Sequence, residues 1–85
     1  MDFNSFITTA TQLTNESQFT KDQWRNIIDI AFQNDNNFNS TIERFYVELL
    51  GFDFKDCEDL ITDIQNGNGD AFERFVNDIC NYFNN

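Results

Sequence analysis

Eighty-five residues provide for one domain, and fifteen acidic against five basic residues with no histidine give it a net charge of −10. That balance disfavours direct contact with nucleic acid or an anionic membrane, which call for Lys/Arg clusters. The missing imidazole removes the commonest general base near neutral pH and the commonest metal ligand. A chain this short must build its core from large side chains, and eleven Phe, one Trp and two Tyr supply them.

Apolar residues recur at intervals of three and four throughout, which is helical spacing. The absence of Pro suits uninterrupted helices. The first predicted helix covers residues 3–13, with Asp2 as its cap and Phe3, Phe6, Ile7, Ala10 and Leu13 on one face. Thr8, Thr9 and Thr11 lower its propensity, and this helix is expected to dock loosely. The second covers 21–33. Thr20 and Gln23 form a capping box, Phe19 and Trp24 stand at the staple positions around it, and Trp24, Ile27, Ile28, Ala31 and Phe32 make the stripe. The turn formers Asn34 to Asn37 end it.

The third helix, 41–50, is expected to open at Ser40, with Glu43 completing a second capping box and Gly51 closing it in the left-handed region. The fourth, 54–66, starts at Asp53 and turns Cys57, Leu60, Ile61 and Ile64 inward; Gly67 stops it. The fifth, 71–83, has Asp70 as cap and Phe72, Phe75, Val76, Ile79, Cys80 and Phe83 along a wide stripe. The links are short, so successive helices should pack as neighbours. The expected fold is all-α: one compact bundle of about five short helices spanning residues 1–85.

The residue pattern holds no Gly-rich phosphate loop, no CxxC pair and no means of assembling a His-dependent nucleophile. The stretch Asp63–Asp70 superficially resembles a calcium loop, but counting from Asp63 puts Asn68 where Gly is required and Arg74 where Glu is required. It reads as a helix stop, a turn and a cap. No catalytic, cofactor-binding or metal-binding residue is assigned, and the chain is expected not to be an enzyme. The opening MDFNSFITT lacks the basic region and apolar run of a secretory signal, and no segment approaches ~18 apolar residues. A cytoplasmic protein, not engaged with a membrane, is therefore expected, with Cys57 and Cys80 reduced and buried; a disulfide between them stays open.

The sharpest surface feature is the acidic run Asp53, Asp56, Glu58, Asp59, Asp63, compensated locally by Lys55 alone. Asp56, Asp59 and Asp63 fall on one edge of the fourth helix, and Glu58 on the other. Asp53 and Asp56 are explained by the helix dipole. Asp59 and Asp63 are like charges four residues apart, which is mildly destabilising. Elsewhere the acids fall into step with bases: Glu48 with Arg44, Asp70 and Asp78 with Arg74, and Asp29 with Arg25. Ile30, Val47, Phe38 and Phe52 lie off the main stripes, and any that is exposed beside the acidic edge would form an anchor with a charged rim. Asp53, Asp56, Glu58, Asp59, Asp63 and Phe52 are accordingly the candidate partner-binding residues.

The expected partner is a protein with a basic, nucleic-acid-binding surface, and the expected role is inhibition by partial mimicry of a nucleic acid. Small acidic anti-defence proteins of phages and plasmids, anti-CRISPR proteins among them, are similar as a class. Thirteen Asn and eleven Phe are in keeping with an A/T-rich coding source of that kind. Two alternatives stand beside this reading: an immunity-type or adaptor module for a basic partner domain, and a structural protein that self-associates, as a homodimer or larger, through apolar patches.

Overall fold

A computed structural model describes residues 2–33, 36 and 38–84 of the chain. Within them the fold is an all-α bundle: α1 (Phe3–Glu16), α2 (Lys21–Phe32), α3 (Phe38–Arg44) running on into a π-helical turn (Phe45–Leu49), α4 (Phe54–Gln65) and α5 (Gly69–Asn84). A radius of gyration of 12.1 Å agrees with the ~12 Å expected of a folded chain of this length.

Three helix boundaries rest on chemistry visible in the sequence. The Asp2 carboxylate accepts from the Ser5 amide at 2.8 Å and opens α1. Thr20 and Gln23 exchange side-chain and backbone hydrogen bonds to start α2, and the Phe19 ring meets Trp24 edge-on at 5.6 Å as the staple. After the π-helical turn, Gly51 takes φ +75°, and the Phe52 amide returns to the Tyr46 carbonyl at 3.0 Å.

Other boundaries differ from the expectation. α3 begins at Phe38, so Ser40 and Glu43 lie within the helix and do not form a capping box at its start. What draws the start forward is burial: the Phe38 ring lies 5.3 Å from Phe32 and 6.0 Å from Phe75. The turn formers Asn34, Asp35 and Asn37 lie outside the described residues. Asp53 holds the cap position of α4, but its side chain makes no capping hydrogen bond. At the far end of α4, Gly67 adopts φ +84° and a Schellman pattern forms, Asn68 N–H to Asp63 O and Gly67 N–H to Ile64 O. That turn delivers the Asn68 side chain to the Asp70 and Ala71 amides, at 3.0 and 3.2 Å. Asn68 therefore caps α5, and Asp70 sits inside its first turn.

α5 is the organising helix. It packs against α1, α2 and α4, and Phe75, Val76 and Ile79 are fully buried along it. α1 is docked, not loose: Phe3, Phe6 and Ala10 are buried, and it packs on α5 and α3. Rings tie the layers together. Trp24 stacks on Phe83 at 5.1 Å, and Phe45 meets Tyr46, Phe75 and Tyr82 edge-on. Val47 and Phe38 are half-buried against this core, whereas Ile30 and Phe52 are exposed. Cys57 and Cys80 are separate free thiols. Cys57 is buried, and Cys80 accepts from the Asn84 side-chain amide at 3.2 Å.

One buried polar contact makes the fold sensitive to alkali. The Tyr46 hydroxyl donates to Asp78 at 2.6 Å. Burial first, and then this bond to a carboxylate, hold the phenol well above its ordinary range, and burial also raises the Cys57 thiol. A group whose folded value is raised contributes fully below its unfolded value, about 10 for tyrosine, and that contribution is lost as the pH climbs past it. The thermal midpoint should therefore fall progressively above about pH 9, where an unfolded thiol begins to ionise. Tyr46→Phe should cost about 1–2 kcal/mol near neutrality and flatten the part of the decline above about pH 10. An unchanged alkaline slope in that variant would assign the effect elsewhere.

Candidate interaction surface on helix α4

The five carboxylates of the acidic run are all exposed in the structure. At 3.6 residues per turn, Asp56, Asp59 and Asp63 lie along one edge of α4 beside Leu60, as expected from the spacing. Asp53 sits at the N-terminal end. Glu58 is on the opposite edge, so the structure does not bring it together with the other four into one face. Asp56 lies in the first turn, where the helix dipole favours it; Asp59 and Asp63 gain nothing comparable.

The arrangement of the bases sharpens the contrast. Arg25 binds Glu73 and Asp22 at 2.6 and 2.7 Å, and Lys21 approaches Glu73 at 3.4 Å. Arg25 is thus engaged with Asp22 and α5, not with Asp29. Its guanidinium, and secondarily Lys21, hold the Glu73 carboxyl below the usual carboxylate range. Arg44 pairs with Glu48 at 2.8 Å and lies over the Phe3 ring at 4.3 Å. Arg74 is 3.8 Å from Asp78; its expected pairing with Asp70 does not form among the described residues. Four of the five bases are thus committed to acids outside α4 and its cap. Among the described residues, Lys55 and the five carboxylates of the run take part in no ion pair.

Next to this acidity stand two exposed aromatic rings. Phe52, 41% exposed, stacks on the buried Tyr46 ring at 5.8 Å with the planes 14° apart. Phe54, at the first residue of α4, is 45% exposed. Phe54 was not among the candidates from the sequence. Its spacing to Cys57 and Ile61 is that of a core position, yet at the first residue of the helix it stays open. The turn Phe52–Asp53–Phe54 thus presents two rings around a carboxylate, with Phe54 and Glu58 following one edge of α4 and Asp56, Asp59 and Asp63 the other.

Little else offers chemistry. A concavity of about 400 Å³ between α2, α3 and α5 is lined by Ile28, Asp29, Phe32, Phe38 and Phe72 among others, and Asp29 is its one titratable group. Among the described residues no group of three or more Cys, Asp or Glu side chains could hold a metal ion. No helix of the described residues is long and apolar enough to cross a membrane. Comparison of the chain with family models, with curated proteins and with solved structures found no match.

Proposed function

We propose that the protein is a non-enzymatic binding module that docks a basic protein surface through α4, and that the partner is a nucleic-acid-binding protein which it inhibits. The observation that carries this reading is the segregation of charge. Bases elsewhere in the bundle are consumed in ion pairs, while Asp53, Asp56, Asp59 and Asp63 remain exposed and outside any ion pair among the described residues, with Lys55 as the one base beside them.

The spacing is compatible with mimicry of a strand. Asp56, Asp59 and Asp63 span ~10 Å of helix axis at 1.5 Å per residue, and a DNA strand presents about three phosphates over that length. Three carboxylates could thus occupy sites that a basic groove provides for about three phosphates. The exposed Phe52 and Phe54 rings add what charge alone lacks, apolar anchors that a guanidinium or an apolar side chain of the partner can cover. A host cytoplasm is the compartment in which such an inhibitor of phage or plasmid origin would act.

The test is competition. The tagged protein is used to capture partners from a lysate of a low-GC bacterium at low salt, and the captured fraction is challenged with DNA. Basic nucleic-acid-binding proteins should be retained, should elute as salt is raised, and should be displaced by excess DNA. Retained proteins that neither bind DNA nor yield to it would remove the mimicry mechanism.

A further inference from the structure

On the side of the molecule formed by α1 and α2, a different kind of surface appears. Each of these helices packs on α5, but they are not among the closely packed pairs. They meet through Phe6 and Phe32, whose ring centroids are 5.1 Å apart, and leave an open groove of about 200 Å³. Phe6, Thr9 and Ala10 of α1 and Ile27, Ile30 and Ala31 of α2 line it. At its rim Ile30 is 78% exposed, more than Phe52, Phe54 or Tyr82, the other large apolar residues left open.

Charge decides what can cover this groove. α1 carries no charged residue between Asp2 and Glu16. On α2, Lys21, Asp22, Arg25 and Asp29 occupy one arc of about 100°, the arc from which Arg25 reaches Glu73 of α5. Gln23, Asn26, Ile27 and Ile30 occupy the opposite arc, on the α1 side. A basic partner is drawn to α4, and nothing charged draws it here. Two copies of a chain of charge −10 repel across most orientations. The α1–α2 face is where they can approach with no like charges in the centre of the contact.

We infer that this face is a homodimer contact, in which a two-fold axis places Ile30 of each copy in the α1–α2 groove of the other. The knob and the groove are neighbours on one patch, which is what a closed, isologous contact requires. The face is two helices wide and about 20 Å long, roughly 400 Å² per copy, about half of what a standard stable interface buries on each side. The dimer is therefore weak and concentration-dependent. It leaves α4 of both copies free, so one assembly presents two acidic edges to a partner.

Sedimentation equilibrium over a wide concentration range tests this on the full chain. The mass should rise from the 10.0 kDa monomer toward twice that value, and the association should strengthen with salt as residual repulsion is screened. Ile30→Glu should weaken it by at least about a hundredfold, since the lost apolar burial and the introduced charge each count twice across a two-fold axis. Thr9→Glu should act in the same direction. Both positions are exposed, so helical circular dichroism and the thermal midpoint confirm that the fold is kept. Asp59→Lys should leave dimerisation intact, which separates this face from α4. A wild-type chain that stays monomeric at about millimolar concentration would overturn the inference and leave the groove to an apolar segment of another protein. Unaltered association in both Glu variants would also overturn it.

Discussion

Phe75→Ala should lower stability by about 3–5 kcal/mol, the range for deleting a fully buried Phe side chain with its cavity left behind. The ring is fully buried and lies 6.0, 5.8 and 6.1 Å from the rings of Phe38, Phe45 and Tyr46, so it joins the start of α3, the π-helical turn and α5 in one cluster. A domain of this length has about 4–13 kcal/mol in total at ~0.05–0.15 kcal/mol per residue. The loss is thus between a quarter of the whole and all of it. Urea unfolding followed by far-UV circular dichroism should show a midpoint lowered by about 2 M or more at an m-value of 1–1.5 kcal/mol/M. Ile30→Ala is the control: it removes a large apolar side chain from a helix, but from an exposed one, and should stay within about 0.5 kcal/mol. Equal effects of the two substitutions would contradict the assignment of α5 as the organising helix.

The legibility of this fold follows how local each cause is. The Thr20–Gln23 box and the Phe19–Trp24 staple are short-range interactions between residues a few positions apart, and the structure contains both. Ser40 and Glu43 have the same spacing as Thr20 and Gln23 but lie inside a helix. The difference comes from Phe38, whose partners Phe32, Phe72 and Phe75 are distant in sequence or set by packing. Asn68 and Asp70 are both good capping residues; the left-handed Gly67 places Asn68 first, and that choice depends on how α4 ends. The π-helical turn had one sequence signal, five apolar residues among the six from Phe45 to Leu50, too dense for a single 3.6-residue face. α1 runs a turn beyond Leu13 on residues with no buried face, where periodicity has nothing to report.

The candidate surface divides in the same way. Which acids share an edge of α4 is a matter of helical geometry and could be read directly. Whether those acids were neutralised could not, because it depends on where the bases went. Arg25 has Asp29 four residues on, yet binds Asp22 and Glu73, and the latter is 48 positions away. The exposure of Phe54, at a position whose spacing is that of the core, likewise depends on the packing of the whole bundle and not on its neighbours in sequence.

Reversing the sign of the acidic edge should move stability and binding in opposite directions. Asp59 and Asp63 repel at i,i+4, and Asp63→Lys converts that pair into an acid followed by a base, the favourable orientation, in the last turns of α4 where the dipole prefers a cation. The gain should be about 0.5–1 kcal/mol, visible as a higher urea midpoint, and it should shrink with salt. The same change takes from the partner one of three carboxylates on the edge. With Asp59 reversed as well, the two substitutions present like charge to a basic surface, and affinity should fall by more than about a hundredfold, because close charge pairs across an interface couple by at least ~1.5 kcal/mol each. An edge kept for solvation alone would show the same local gain in stability but leave binding unchanged. A residue pair that lowers the stability of its own helix, and whose replacement raises it while binding is lost, is the behaviour of a surface kept for a partner. If Asp63→Lys destabilises the fold, or if binding survives the double reversal, α4 is not that surface.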